Sequence, residues 1–315
     1  MTKYIVTGGA GFIGSHIADA LIESGDAVLI IDDLSTGKEK NINPKAEFHR
    51  VDIRDLEKIK PFFKGVDGIF HLAALARIQP SFDNPGLFFD VNVVGTRNIL
   101  QIAKENNVKR VVYSASSSAY GDQDSLPLKE DMRLSAQALN PYSSTKRIGE
   151  MLMYDKGILT GGPETVCLRY FNVYGPRQTT TADGPYATVI GIFLDQFKEG
   201  RPLTIVSNGE QRRDYTHVYD VVKANLKAMD SSKVGSGEII NVGVGSNYSV
   251  FETAALVHGK SKEEMEEGKD FVMIEPRRGE ARITLADVSK AKELLDWESQ
   301  ISLEDGILML KDNHS

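Results

Sequence analysis

Short apolar runs alternate with stretches of helical spacing through the first half of the chain. Tyr4-Ile5-Val6, residues 27–31, Phe48 to Val51, Gly68 to Leu72 and Arg110 to Ser114 read as strands. Between the first two, Phe12 to Ser24 carries apolar residues at helical intervals (Ile13, Ile17, Ala20, Leu21), and Leu87 to Asn106 is a second helical stretch. Apolar strands separated by helices predict parallel pairing with helices on both faces. Right-handed crossovers make this a doubly wound α/β sheet. Further strands are predicted at 164–169 and 238–242, and helices at 250–257 and 288–295. After Gly175 the pattern turns irregular, residues 179–188 reading as a polar loop and 260–270 as a solvated, charge-dense stretch. The sheet domain is expected over 1–174 with a returning segment near 213–245. A smaller mixed α/β lobe for substrate takes 175–212 and 246–315.

Composition narrows the classes of function. With 315 residues and 41% hydrophobic positions, the chain can bury a real core without disulfides or metal staples. Lys plus Arg number 37 against 44 Asp plus Glu, a net charge of −7, which argues against a nucleic-acid partner. The single cysteine, Cys167, excludes an intramolecular disulfide and a CxxC metal site. The six histidines, His314 the last, show no metal-ligand spacing, so no metal is expected. No run of 18 apolar residues appears, and the chain enters a strand at once, so no membrane partner and a cytoplasmic location are expected.

Residues 7–15 read TGGAGFIGS, with glycines as Gly9-x-Gly11-x-x-Gly14 or Gly8-x-x-Gly11-x-x-Gly14. The turn follows a strand and opens a helix, so backbone can approach a pyrophosphate and free N–H groups can meet it. Asp32 ends the next strand, where a carboxylate accepts the adenosine ribose hydroxyls and repels a 2′-phosphate. This favours NAD over NADP on a Rossmann-type sheet; Asp33 is placed to share the role.

The segment PYSSTK puts Tyr142 and Lys146 one helical turn apart on one face. A phenol, with a pKa of about 10, is a poor base at neutral pH. A neighbouring ammonium favours the phenolate, so the pair can move a proton while a nicotinamide moves a hydride. The serine run 114–118 follows a strand, at the sheet edge where such folds bind ligands.

Together these residues resemble the extended short-chain dehydrogenase/reductase family, and within it the nucleotide-sugar 4-epimerases acting on UDP-glucose or UDP-N-acetylglucosamine. TGGAGFIGS, DDLSTG, HLAA, SASSSAYG, YSSTK, LRYFNVYGPRQ, RRDYTHV and PRRGE occur in the family's order. The resemblance implies that Gly8, Gly11 and Gly14 hold the pyrophosphate with the Phe12 and Ile13 amides. It implies that Asp32 holds the ribose beside Ser35, Thr36 and Gly37, and that Asp52 and Ile53 flank the adenine. Leu72, Ala73, Ala74, Asn92, Ser114, Tyr142, Lys146 and Tyr170 complete the cofactor site. Tyr142 is the implied base, Ser116 its hydroxyl partner and Lys146 the group that lowers its pKa. Ser116, Ser117, Asn172, Ala187, Val189, Thr204 and Val206 are implied contacts of a UDP-sugar, with Arg213 and Arg277 clamping its diphosphate. A homodimer, paired through 87–106 and 142–156, is also implied.

Several positions bear on the choice of reaction. Glu280 stands where the family has an aspartate, putting its ribose contact in doubt. Ser117-Ser118 replace the acid/base carboxylates of 4,6-dehydratases, which disfavours water elimination. Thr284 replaces the bulky tyrosine of hexose-restricted epimerases, implying room for an N-acetyl group. Arg77, after HLAALA, is larger than expected beside the sugar. The competing readings are a nucleotide-sugar reductase or decarboxylase, a threonine dehydrogenase-like enzyme, and a non-catalytic NAD-binding protein.

Overall fold

The computed structural model describes residues 1–135 and 137–312; His314 lies outside the described residues. The chain opens with β1 (Lys3–Thr7), α1 (Phe12–Glu23), β2 (Ala27–Asp32), β3 (Glu47–Arg50), the short α2 (Leu56–Ile59) and β4 (Gly68–His71). Next come α3 (Ile78–Asp83), α4 (Pro85–Phe89) and α5 (Thr96–Glu105), the last two joined by a π-helical turn over Asp90–Gly95. β5 (Arg110–Ser116), α6 (Pro141–Leu152) and β6 (Glu164–Tyr170) follow. The chain then builds α7 (Val189–Lys198), β7 (Leu203–Val206) and β8 (Arg212–Arg213). It continues through α8 (Val218–Asp230), β9 (Ser236–Val242), β10 (Tyr248–Ser249) and α9 (Val250–His258). β11 (Phe271–Ile274), α10 (Ser289–Leu295) and α11 (Leu303–Asp312) complete it.

Seven strands form one parallel sheet in the order β3-β2-β1-β4-β5-β6-β9. Successive side chains of a strand point to opposite faces, and both faces here are covered. Val6, Ile30, Phe70, Val112 and Leu168 enter one core with Ile17 and Leu21 of α1 and Val221 of α8. Their neighbours Ile5, Leu29, Ile69, Val111 and Cys167 enter the other, with Ile99 and Ile102 of α5. This double burial is why the sequence shows continuous apolar runs and not alternation. The strand order reverses between β1 and β4, which opens a crevice at their carboxyl ends.

A third core, including Phe193, Leu203, Ile205, Val257, Phe271 and Ile307, belongs to the C-terminal lobe. There β7 pairs with β11, and β8 pairs with β10. The return to the sheet therefore begins after residue 213, because Arg212–Arg213 are hydrogen-bonded into the lobe. α8 packs on α1, and β9 adds the seventh strand beside β6.

The irregular stretch expected after Gly175 holds more order than its pattern shows. α7 is apolar on most sides (VIGIFLDQFK), so helical periodicity is blurred, and β8 and β10 are too short to carry any. The charged 260–270 stretch contains one 3₁₀ turn, Lys262–Glu264, but its last residue, Asp270, is buried against Lys260 at 2.6 Å. Among the described residues no helix is long and apolar enough to cross a membrane, and no cluster of metal-ligating side chains occurs.

Candidate functional site

A cavity of ≈ 480 Å³ runs along the carboxyl ends of the strands, between sheet and lobe. One end is built from the glycine turn. Gly8 has φ +72°, and a Cβ there would lie 2.7 Å from the Ala73 nitrogen; a Cβ on Gly14 would lie 2.2 Å from the Gly8 carbonyl. The turn therefore closes onto the β4 segment only with glycine. α1 starts at Gly11 with no side-chain cap, so its first N–H groups face the cavity with the positive end of the helix dipole. Such a cradle fits a dinucleotide pyrophosphate.

Asp32 is buried, its oxygens accepting the Ala10 N–H at 3.0 Å and the Leu34 N–H at 2.8 Å. Burial raises its pKa while those two bonds oppose the rise. Ser35, Thr36, Asp52, Ile53, Leu72, Ala73 and Ala74 line the same end, as does Asp33. Asp52 is gripped by Arg54 at 2.5 Å.

The middle of the cavity holds Ser116, Tyr142 and Lys146. Asn140 caps α6 by accepting the Ser143 N–H at 2.8 Å, with Pro141 in the first turn, which fixes where Tyr142 and Lys146 emerge. Burial pushes the Tyr142 phenol above its ordinary pKa; a hydrogen bond with Ser116 and the charge of Arg77 pull it back. Lys146 is buried, donates to the Ser114 carbonyl at 2.7 Å and sits 5.0 Å from the centre of the Tyr113 ring. Burial brings its ammonium down to about 8, opposed by Glu150. Glu150 itself is paired with Arg169 through two bonds of 2.8 and 2.7 Å beneath the sheet edge.

The far end is the lobe's. Ser117, Asn172, Ala187, Val189, Val206, Arg213, Arg277, Glu280 and Thr284 line it. Arg213 is 3.2 Å from Glu280, so the glutamate acts here as its counter-ion. Arg277 is exposed. Asn172 (φ +29°) donates to the Asp214 carbonyl and to the Thr284 hydroxyl, at 2.8 and 3.2 Å.

Three sequence-predicted residues fall outside the lining. Thr204 accepts the Gln196 side-chain N–H on its hydroxyl and donates its own N–H to the Gln196 side-chain carbonyl, at 3.0 Å each. Asn92 is buried and spends its amide on Leu75 and Thr145, which shapes the HLAALA segment from behind. Gly37 lies against Asp32, where a Cβ would come within 2.8 Å of the carboxylate, so its part is to let the chain pass. The other predicted residues, Ser114 and Tyr170 included, converge on the one cavity.

The NAD dependent epimerase/dehydratase family model matches residues 4–243. The chain belongs to this family. It is therefore NAD-dependent, and the glycine cradle and Asp32 are the residues that fit the dinucleotide. A relative from Methanocaldococcus jannaschii, provisionally assigned as a UDP-glucose 4-epimerase, is 40% identical over 309 residues, covering 96% of this chain and 95% of its own. The crystal structure of the Thermotoga maritima UDP-glucose 4-epimerase with UDP-glucose superposes with a TM-score of 0.90 at 34% identity, over 100% of both chains. The Thermus thermophilus UDP-glucose 4-epimerase in complex with NAD gives 0.84 at 30% identity, covering 99% of this chain and 98% of its own.

In this epimerase-family member the sequence reading missed the cavity's roof. Thr179, Pro185 and Tyr186 line it, from the stretch read as a polar loop, beside the Ala187-Thr188-Val189 stretch that the resemblance does place at the ligand. Asp183 fastens that loop to Lys38 at 2.7 Å. The run GPY inside TTTADGPYAT, an apolar and aromatic insertion in a polar stretch, was the available signal.

Proposed function

We propose that the enzyme inverts carbon 4 of a UDP-linked hexose through transient oxidation, acting on UDP-glucose/UDP-galactose, UDP-N-acetylglucosamine/UDP-N-acetylgalactosamine, or both. The observation that carries this is the position of Tyr142. It lies between a dinucleotide cradle and an arginine-lined lobe, in one continuous cavity. Bound NAD supplies the acceptor for the carbon-4 hydride and, once reduced, its donor. Tyr142, as phenolate, takes the proton of the 4-hydroxyl with Ser116 on the same oxygen, and returns it after the 4-keto sugar has turned over. Lys146 lends positive charge that favours the Tyr142 phenolate. Arg213 and Arg277 grip the diphosphate while the sugar moves, for which the planar guanidinium suits phosphate oxygens. Thr284 leaves space beside carbon 2 for an N-acetyl group.

The serine pair 117–118 lines the cavity where elimination of water needs a carboxylic acid, which supports epimerisation over dehydration. We further infer that two copies pair through the stretches 87–106 and 142–156, where Phe89 of α4, Met151 of α6 and Tyr154 of the π-helical turn after it (Met153–Leu159) are exposed, with Leu159 at the end of that turn. The deciding experiment incubates the enzyme with UDP-glucose and with UDP-N-acetylglucosamine without added cofactor, and resolves the products by NMR. Equilibration of 4-epimers without net NADH is expected. Release of carbon dioxide, or a reduced sugar at the expense of NADH, overturns the reading.

A further inference from the structure

Arg213 and Arg277 have a diphosphate to hold; Arg77 has no such assignment. It has φ +97° and ψ 141°, a backbone region that residues other than glycine enter only at a cost and that concentrates at ligand sites. Its guanidinium lines the same cavity as Tyr142, Ser116 and Ser117. Nε donates to the Tyr186 carbonyl at 2.8 Å, and one terminal nitrogen to the Thr179 hydroxyl at 3.2 Å. Both acceptors are neutral. Among the described residues no carboxylate pairs with it, whereas Arg213 has Glu280. The only titratable group coupled to it is the Tyr142 phenol, and burial works against its charge.

A guanidinium held rigid, half-buried and without a counter-charge is unfavourable unless a ligand brings the charge. The diphosphate is served by Arg213, Arg277 and, on the cofactor side, the start of α1. Arg77 sits elsewhere, at the end of the loop between β4 and α3, in the part of the cavity that Tyr142, Ser116 and Ser117 also line. The remaining place for an anion is the hexose itself. A carboxylate on carbon 5 offers two coplanar acceptors that match the guanidinium fork, whereas a neutral hydroxymethyl group offers one acceptor and no charge.

We propose that Arg77 is a specificity-determining residue that selects UDP-linked hexuronates over neutral hexoses. The proposal rests on the 4-epimerase reading above and narrows its sugar. It is compatible with Thr284, because carbon 2 and carbon 5 lie on opposite sides of the ring and an N-acetylated uronate satisfies both.

The test uses the purified holoenzyme, its Arg77→Ala and Arg77→Lys variants, and two probes, UDP-glucuronate and UDP-glucose. Wild type is expected to favour UDP-glucuronate in kcat/KM. Arg77→Ala is expected to lose at least about 30-fold more kcat/KM on UDP-glucuronate than on UDP-glucose, the smaller loss on UDP-glucose reporting the charge that Arg77 lends the Tyr142 phenol, with Arg77→Lys between. Equal losses on both sugars, with the acid limb of the pH profile displaced, mean that Arg77 acts through Tyr142 and overturn the proposal. A wild-type preference for UDP-glucose overturns it as well. If Arg77→Ala does not fold, equilibrium binding to wild type decides: UDP-glucuronate must bind more tightly than UDP-glucose, and equal affinities reject Arg77 as the selector. Inversion at carbon 4 is scored separately. If neither sugar is inverted, the epimerase reading fails, while the binding preference still tests Arg77.

Discussion

In the proposed reaction Tyr142 carries the proton transfer on one oxygen. Replacing it by Phe removes the hydroxyl and little volume, so folding and dinucleotide binding are expected to survive. Turnover should fall by about 10²–10⁴-fold, the usual range for a lost general base. Near-normal epimerisation by the variant, followed by NMR, would reassign the base. Lys146 and Arg77 show how the structure redistributes roles that spacing alone assigns. The i, i+4 relation brings Lys146 to the right face, but its ammonium is tied to the Ser114 carbonyl, and the groups bearing most on the phenol are Ser116 and Arg77. Arg77 lies far from Tyr142 in sequence, and no periodicity links them. Thr284 has a dual position: it lines the cavity, and its hydroxyl receives Asn172 and the Asp214 N–H. Thr284→Tyr is expected to depress kcat/KM for UDP-N-acetylglucosamine more than for UDP-glucose. A common factor for both sugars in steady-state assays removes the gate argument.

At the scale of elements, the strongest joint outside the cavity is Arg110. From β5 it donates to the carbonyls of Ala228, Met229, Ser231 and Val234 at 2.7–3.0 Å, and to Glu164 of β6 at 2.6 Å. One guanidinium thus satisfies the open carbonyls at the end of α8, where a positive charge also meets the negative end of the helix dipole. Arg110→Ala is expected to cost on the order of 3 kcal/mol in urea unfolding, because the carbonyls are left buried and unpaired. Arg110→Lys should recover under half of that, since an ammonium cannot reproduce the fork. Nothing near Arg110 in the sequence advertises this joint. The strands β1, β2, β4 and β5 were legible because both faces are buried and the runs are apolar throughout. The glycine turn was legible because Gly8 and Gly14 admit no Cβ. α7 and the lobe's two-residue strands were not, because their order comes from contacts made across about 35 residues or more and not from any local repeat.

For the whole molecule, the exposed apolar residues of α4, α6 and the turn after it form the feature that the monomer leaves unexplained. Phe89 is 45%, Met151 62%, Tyr154 46% and Leu159 65% exposed; singly such residues are ordinary, but several on neighbouring elements are consistent with a contact surface. Wild type is expected to sediment as a dimer. Met151→Glu with Leu159→Glu should shift it toward monomer while the far-ultraviolet circular dichroism stays unchanged. A wild-type monomer at micromolar concentration refutes the pairing.

The roof over the cavity has a consequence of a different kind. Its hold on the adenosine side is the Lys38–Asp183 pair, whose side chains are 33% and 17% exposed. A pair that open to water weakens as ionic strength rises, whereas the glycine cradle beneath is set by close backbone packing and its helix dipole is screened less where water is kept out. Residence of the dinucleotide is then governed by the medium: stopped-flow release should quicken between low and molar sodium chloride, and Asp183→Asn should be fast already and less sensitive to salt than wild type. The enzyme would keep its coenzyme through many catalytic cycles in a dilute interior and trade it readily in a brine.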